Sequence, residues 1–164
     1  TSTTDTTSTT DTTSTTDTTS TTDTTSTTDT TSTTDTSSYQ QLSDIQALNY
    51  IASNSDLASA FGTNTAAAKQ HYEISGFAEG RTVDSFDELG YIAANSDLIN
   101  AFKSDTANLE INGLNHYIVS GIYENRNTTF DVDSYINNNN LSDQFSDDLE
   151  AAKRHYINNF IIIN

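Results

Sequence analysis

Cysteine, methionine, proline and tryptophan are all absent from this 164-residue chain, and bases are scarce: 6 Lys plus Arg stand against 23 Asp plus Glu, a formal charge of −17. The lack of cysteine excludes disulfides, thiolate metal sites, iron–sulfur clusters and cysteine nucleophiles. The shortage of bases argues against nucleic acid or an anionic membrane as a partner, because both are bound through a basic face. No apolar run approaches the ~20 residues that span a bilayer, so no membrane insertion is expected. The first residue is Thr1 rather than methionine, which reads as a processed chain or a fragment. No GxSxG, P-loop or dinucleotide fingerprint occurs, and no cofactor is expected.

What is present falls into two parts. Residues 1–36 are six copies of TSTTDT, made of 24 Thr, 6 Ser and 6 Asp. Ordering each residue costs on the order of 1–2 kcal/mol of backbone entropy, and these side chains bury almost no apolar area to offset it. Residues 1–38 are therefore expected to be a disordered polar stalk, extended further by repulsion between its aspartates. Its Thr/Ser density also suits an O-glycosylated stalk, so O-glycans are a candidate modification. An ice-binding lattice or a hexapeptide β-helix needs an inward apolar position, which this hexad lacks.

Every Phe, Tyr, Leu, Ile and Val lies beyond residue 36, and residues 39–164 are expected to be one helical domain. This part aligns with itself in segments 43–83, 84–127 and 128–164. Tyr50, Tyr91 and Tyr135 correspond, as do Phe61, Phe102 and Phe145, and His71, His116 and His155. The period is about 41 residues, with four extra residues between Phe102 and His116 and one fewer between Tyr135 and Phe145. A period of this length marks a repeat architecture.

The fold class expected is all-α, three short helices per segment packed as one domain. Ser43 and Asp84 are read as caps of the first helices, which carry Ile45, Leu48, Ile51 and Ala52, or Phe86, Leu89, Ile92 and Ala93, at helical spacing. Ser55 and Ser96 are read as caps of the second, with Leu57/Phe61 and Leu98/Phe102 on one face. Thr65 is read as the cap of the third. Gly76 and Gly121 suit the left-handed position that ends a helix. The small residues Ala68, Gly113 and Ala152 would let a neighbouring helix approach closely. Asp147, Asp148 and Glu150 open the last helix, where acids complement the dipole. The third segment reads as an end unit, with Asp133 where Leu48 and Leu89 stand, Phe160 in the glycine position, and a packed Phe160–Ile163 tail.

The pattern YIASNSDL–AF–HY–G–EGR, Tyr50 to Arg81, and its second copy resemble a tandem repeat of large secreted or surface-associated bacterial proteins. In that group the repeats often accompany RTX, hemolysin-type calcium-binding nonapeptides. The resemblance implies an extracellular or cell-surface location and a bacterial or phage source. It carries no defined activity, and this chain has no GGxGxD nonapeptide, so no calcium binding is inferred.

The three His-Tyr pairs are the most reactive-looking feature, since histidine can ligate metal or act as a base. Each segment supplies only one histidine and no HxxxH occurs, so the imidazole is expected to bridge two helices and bond a backbone carbonyl or a helix cap. Glu79/Arg81 and Glu124/Arg126 are expected to pair at the chain exits. Asp131, Asp133 and Ser134 lack the glycine and distal glutamate of a calcium loop. No catalytic or metal-binding residue is expected, and the chain reads as a non-enzyme. The function expected is that of an extracellular structural or spacer protein presenting a helical domain on a polar stalk. Two alternatives stand beside it. One is an adhesin or carbohydrate-binding head, with Tyr72, Tyr117 and Tyr123 as contact aromatics and a cell surface, a glycan or a second copy as partner. The other is an accessory domain of a larger secreted protein or enzyme.

Overall fold

The computed structural model describes residues 40–145 and 147–161, all within the compact unit Tyr39–Asn164. The expected stalk, 1–38, lies outside the described residues, as do Ile162 and Ile163. Among the described residues every regular element is helical. The first segment holds α1 (Asp44–Ala52), α2 (Ser55–Phe61) and α3 (Thr65–His71), the last widening into a π-helical turn, Tyr72–Gly76. The second holds α4 (Glu88–Ala93), α5 (Ser96–Phe102), α6 (Leu109–His116) with its own π-helical turn, Tyr117–Gly121, and the short α7 (Ile122–Glu124). The third holds α8 (Val132–Asn138), α9 (Ser142–Phe145) and α10 (Leu149–Asn159).

Helices this short are unstable alone and depend on packing. Within each segment the first helix lies against the third: α1 on α3, α4 on α6, α8 on α10. Between segments α1 also packs on α6, and α4 on α10. The helices therefore run side by side in the order α3, α1, α6, α4, α10, α8, and each inner first helix is held between two third helices. The second helices pack beside the first and third helices of their own segments. Tyr50, Ile51, Tyr91, Ile92, Leu114, Ile118 and Ile157 are all below 2 % exposed. Burying an Ile or Leu side chain contributes about 1.5–3 kcal/mol. The small column works as expected: a Cβ on Gly113 would stand 2.9 Å from Ile92 Cδ1 and 3.1 Å from the Glu88 carbonyl.

Helix starts are set partly by residues other than those the sequence suggests. Ser43 caps α1 through a reciprocal pair, accepting from the Gln46 amide at 3.3 Å while its own amide donates to Gln46 Oε1 at 2.9 Å. Asp84 does not cap its helix. α4 starts later, with Asp87 Oδ1 accepting from the Gly90 amide at 2.7 Å. Just before this start, Phe86 stacks on Tyr117 with centroids 4.0 Å apart. Ser55 and Ser96 are the first residues of their helices; Asn54 and Asn95 occupy the cap positions. Asn64, not Thr65, caps α3, accepting from the Ala67 amide, while the Thr65 hydroxyl donates to Asp44. Asp148 caps α10 as an opening acid should.

Gly76 and Gly121 are not left-handed. Both lie in π-helical turns, and the positive φ values fall four residues later, at Gly80 (69°) and Asn125 (53°). There the following amides, Arg81 and Arg126, return to the carbonyls of Gly76 and Gly121 at 3.0 and 3.4 Å. This is the satisfying hydrogen bond of a left-handed helix end. In the third segment the helix stops at Asn159, and Phe160 turns extended, with φ −65° and ψ 120°. Phe160 is half-buried against Tyr156 and the second core cluster, while Ile161 is 79 % exposed.

Candidate functional site

The residues singled out by the sequence converge on one arrangement, built three times. Tyr50 Oη lies 2.9 Å from His71 Nδ1, Tyr91 Oη 2.8 Å from His116 Nδ1, and Tyr135 Oη 2.6 Å from His155 Nδ1. The imidazole does bridge the first and third helices, but its partner is a tyrosine hydroxyl rather than a backbone carbonyl or a cap. A buried hydroxyl needs a partner, and the imidazole is the polar group nearest to it. Phe61, Phe102 and Phe145 close the other side of the imidazoles, with centroids 5.6, 6.1 and 5.2 Å away. Tyr72, Tyr117 and Tyr156 meet Tyr50, Tyr91 and the half-buried Tyr135 edge-on at 5.3, 5.4 and 5.1 Å.

The glycines belong to this arrangement. A Cβ on Gly76 would overlap Tyr50 Oη, and one on Gly121 would overlap Tyr91 Oη. Their role is clearance over the hydroxyl, not a helix-ending φ. Burial pushes the Tyr91 hydroxyl up to about 12 and also raises Tyr50 and Tyr135. These phenols therefore stay protonated at neutral pH and offer a structural hydrogen bond rather than a general base.

Two further sets of contacts close the first two segments, and one bond of the first set recurs in the third. The Asn54 amide donates to the Tyr50 carbonyl (2.8 Å) and the Thr82 carbonyl (2.9 Å). Asn95 repeats this with Tyr91 (2.7 Å) and Asn127 (2.8 Å), and Asn139 donates to Tyr135 (2.8 Å). The Arg81 guanidinium pairs with Glu79 at 2.7 Å, as expected, and also grips both oxygens of Asp56 at 2.9 and 2.8 Å. Arg126 does the same with Glu124 and with Asp97 at 2.9 and 2.7 Å. The bond from Arg81 holds the Asp56 carboxyl below its usual range. Partial burial alone would raise Asp97, but Arg126 outweighs it and the net direction is down. Asn54/Asn95 and Asp56/Asp97 escaped the sequence reading, although they are identical in the aligned NSDL stretches.

Of the candidate contact aromatics, Tyr72 and Tyr117 are half-buried and packed against core clusters, whereas Tyr123 is 64 % exposed. Asp131 is engaged as the cap of α8 through the Ser134 amide. Among the described residues no group of three or more His, Asp or Glu could hold a metal ion, and no helix is long and apolar enough to cross a membrane.

A second polar cluster lies where the second and third segments meet. Lys153, 7 % exposed, pairs with Asp87 at 2.7 Å and Glu150 at 2.5 Å. Burial alone would lower its pKa, but the two carboxylates outweigh this and keep the ammonium charged. Arg154 pairs with Glu110 across the same junction. A shallow cavity of about 450 Å³ opens there, lined by Asp84, Ser85, Phe86, Asp87, Glu88, Glu150 and Lys153. Burial, reinforced by Asp84, Glu110 and Glu150, pushes the Glu88 carboxyl up to about 7.

Two measurements check this description. Tyr91→Phe leaves the His116 Nδ1 without its partner and should cost about 1–2 kcal/mol in denaturant unfolding. Gly121→Ala should cost at least as much by overlap. Because the first change removes the atom nearest to the added Cβ, leaving the ring carbon at 2.8 Å, the double variant should lose at least ~0.5 kcal/mol less than the two separately; strict additivity would contradict the geometry. Glu88 is held protonated in the folded chain up to about 7, against an ordinary value of 4.5, so stability is full below about 4.5 and declines as pH rises through 7. Glu88→Gln should match the parent at pH ~4 and exceed it at pH ~8 by about 1 kcal/mol, the partly open side chain keeping the effect small. Equal stability at both pH values would contradict it.

No protein-family model matches this chain, and neither a curated protein nor a solved structure is significantly similar to it.

Proposed function

We propose that the chain is a non-enzymatic extracellular or cell-surface structural protein. In this reading three copies of one helical module, 43–83, 84–127 and 128–164, form a head carried on a disordered Thr/Ser/Asp stalk, 1–38. The observation that carries it is the use of the motif: Tyr50/His71, Tyr91/His116 and Tyr135/His155 hold first to third helices by the same bond. The residues that recur are those a module needs to fold. The resemblance of YIASNSDL–AF–HY–G–EGR to repeats of large secreted bacterial proteins supports the location, as does the acidic, cysteine-free composition. A polar tract with no apolar side chain is suited to hold a head away from its attachment point.

The alternative of an adhesin or carbohydrate-binding head rests on Tyr123 and Val119, 64 % and 61 % exposed on the second segment. Protease shaving and antibody labelling of intact producing cells, with assay of the medium, test the location. Exposure at the surface or release is expected, and retention in the cytoplasm would overturn the proposal. A glycan array probed with the whole chain separates the readings: binding lost on Tyr123→Ala selects the adhesin, and no binding selects the spacer.

A further inference from the structure

We infer that the helical stack is closed at both ends: each end face carries polar residues at the positions that elsewhere join one segment to the next. The inference rests on the reading of three copies of one module and goes beyond it, because it says what the two outer faces of the described stack would otherwise bind.

The face that a first helix turns to the following segment can be read from burial. In α1 it holds Leu48, Asn49 and Ala52, exposed by 6, 8 and 6 %. In α4 the counterparts Leu89, Gly90 and Ala93 are all buried. In α8, against which no further segment packs among the described residues, the counterparts are Asp133, Ser134 and Asn137, and all three are exposed. The opposite face of α8, toward its own third helix, keeps Val132 and Ile136 buried. The change is confined to the side where a next segment would sit.

The other end mirrors this. The face that a third helix turns to the preceding segment holds Leu114 and Ile118 in the second segment, and Lys153 and Ile157 in the third; all are buried. Their counterparts in the first segment, before which no helix lies among the described residues, are Lys69 and Glu73. Lys69 is engaged by Asp44 of its own segment at 2.8 Å, and Glu73 is exposed. Leu48 shares a core cluster with Leu114 and Ile118, and Leu89 shares one with Ile157. Docking one chain's α8 on another chain's α3 would thus set Asp133 against Lys69 and Glu73. It would bury two carboxylates beside one lysine already in use, which is unfavourable. Stacked-repeat domains need such polar outer faces to stay soluble.

The occupant these faces exclude is a second copy of this chain. With apolar residues restored at both ends, the contact would be head-to-tail and able to propagate. Sedimentation velocity of the full chain tests this, with circular dichroism as the check on folding. The parent and the single variants Glu73→Ile and Asp133→Leu should sediment as monomers. The double variant Glu73→Ile/Asp133→Leu should at least double its average mass at ~100 µM, a concentration that detects micromolar association. Closure is overturned if the parent already associates and Asp133→Arg disperses it, or if the double variant keeps its helicity and remains monomeric. A chain with residues 84–127 duplicated in tandem keeps the two ideas apart. It should fold as a monomer with a higher Tm, since an inner copy presents both joining faces. Its failure to fold would sink the module reading, whereas its folding beside a monomeric double variant would sink closure alone.

Discussion

A tyrosine hydroxyl placed between two packed helices has to find a partner, and much of this structure follows from how that demand is met. The histidine on the third helix supplies the partner. A glycine one turn later supplies room above the hydroxyl, and in the first two segments the helix widens into a π-turn there. In the third segment Phe160 stands in the glycine position, and the helix ends instead of widening. A Phe side chain could not occupy the space over Tyr135, so the chain leaves at that point. One hydrogen bond thus accounts for three conserved-looking features of the aligned segments: the tyrosine, the histidine and the glycine.

The two junctions between segments are built differently on the same plan. The first is mainly apolar, with Leu114 and Ile118 joining the cluster of Leu48, Ile51 and Leu57 and Asn49 as its buried polar residue. The second keeps Ile157 but puts Lys153 in the place of Leu114 and answers it with Asp87 and Glu150. Replacing such a pair by apolar residues is often neutral or favourable, whereas breaking it is costly. Asp87 serves twice, capping α4 with one oxygen and holding Lys153 with the other. The junction therefore ties the start of a helix in one segment to the side of a helix in the next.

The helices, their amphipathic faces and the landmark residues were legible in the sequence, because periodicity records burial and the aligned segments repeat it. Helix starts were less so. Ser55, Ser96 and Thr65 are good capping types, yet Asn54, Asn95 and Asn64 stand one residue earlier, and only the chain path selects between neighbours. The use of Gly76 and Gly121 was hidden for a related reason: a glycine near a helix end suggests a left-handed φ, and nothing local reveals a tyrosine hydroxyl from another helix above it. Asp56 and Asp97 stand in the first turns of their helices, and the arginines that grip them lie 25 and 29 residues away. Long-range partners of this kind leave no local spacing to read.

The functional reading follows from where polar chemistry is placed. The histidines, tyrosines, asparagines and arginines of the motif are engaged within their own segments, and charge appears at the two outer faces where a further segment would otherwise fit. Each inner first helix is clamped between two third helices. Native-state amide hydrogen exchange tests it most directly. Leu89–Ala93 of α4 should exchange slowest, at the rate of global unfolding, with the outer helices α3 and α8 exchanging faster. If α4 exchanges as fast as α3 and α8, the sandwich is not what holds the domain together.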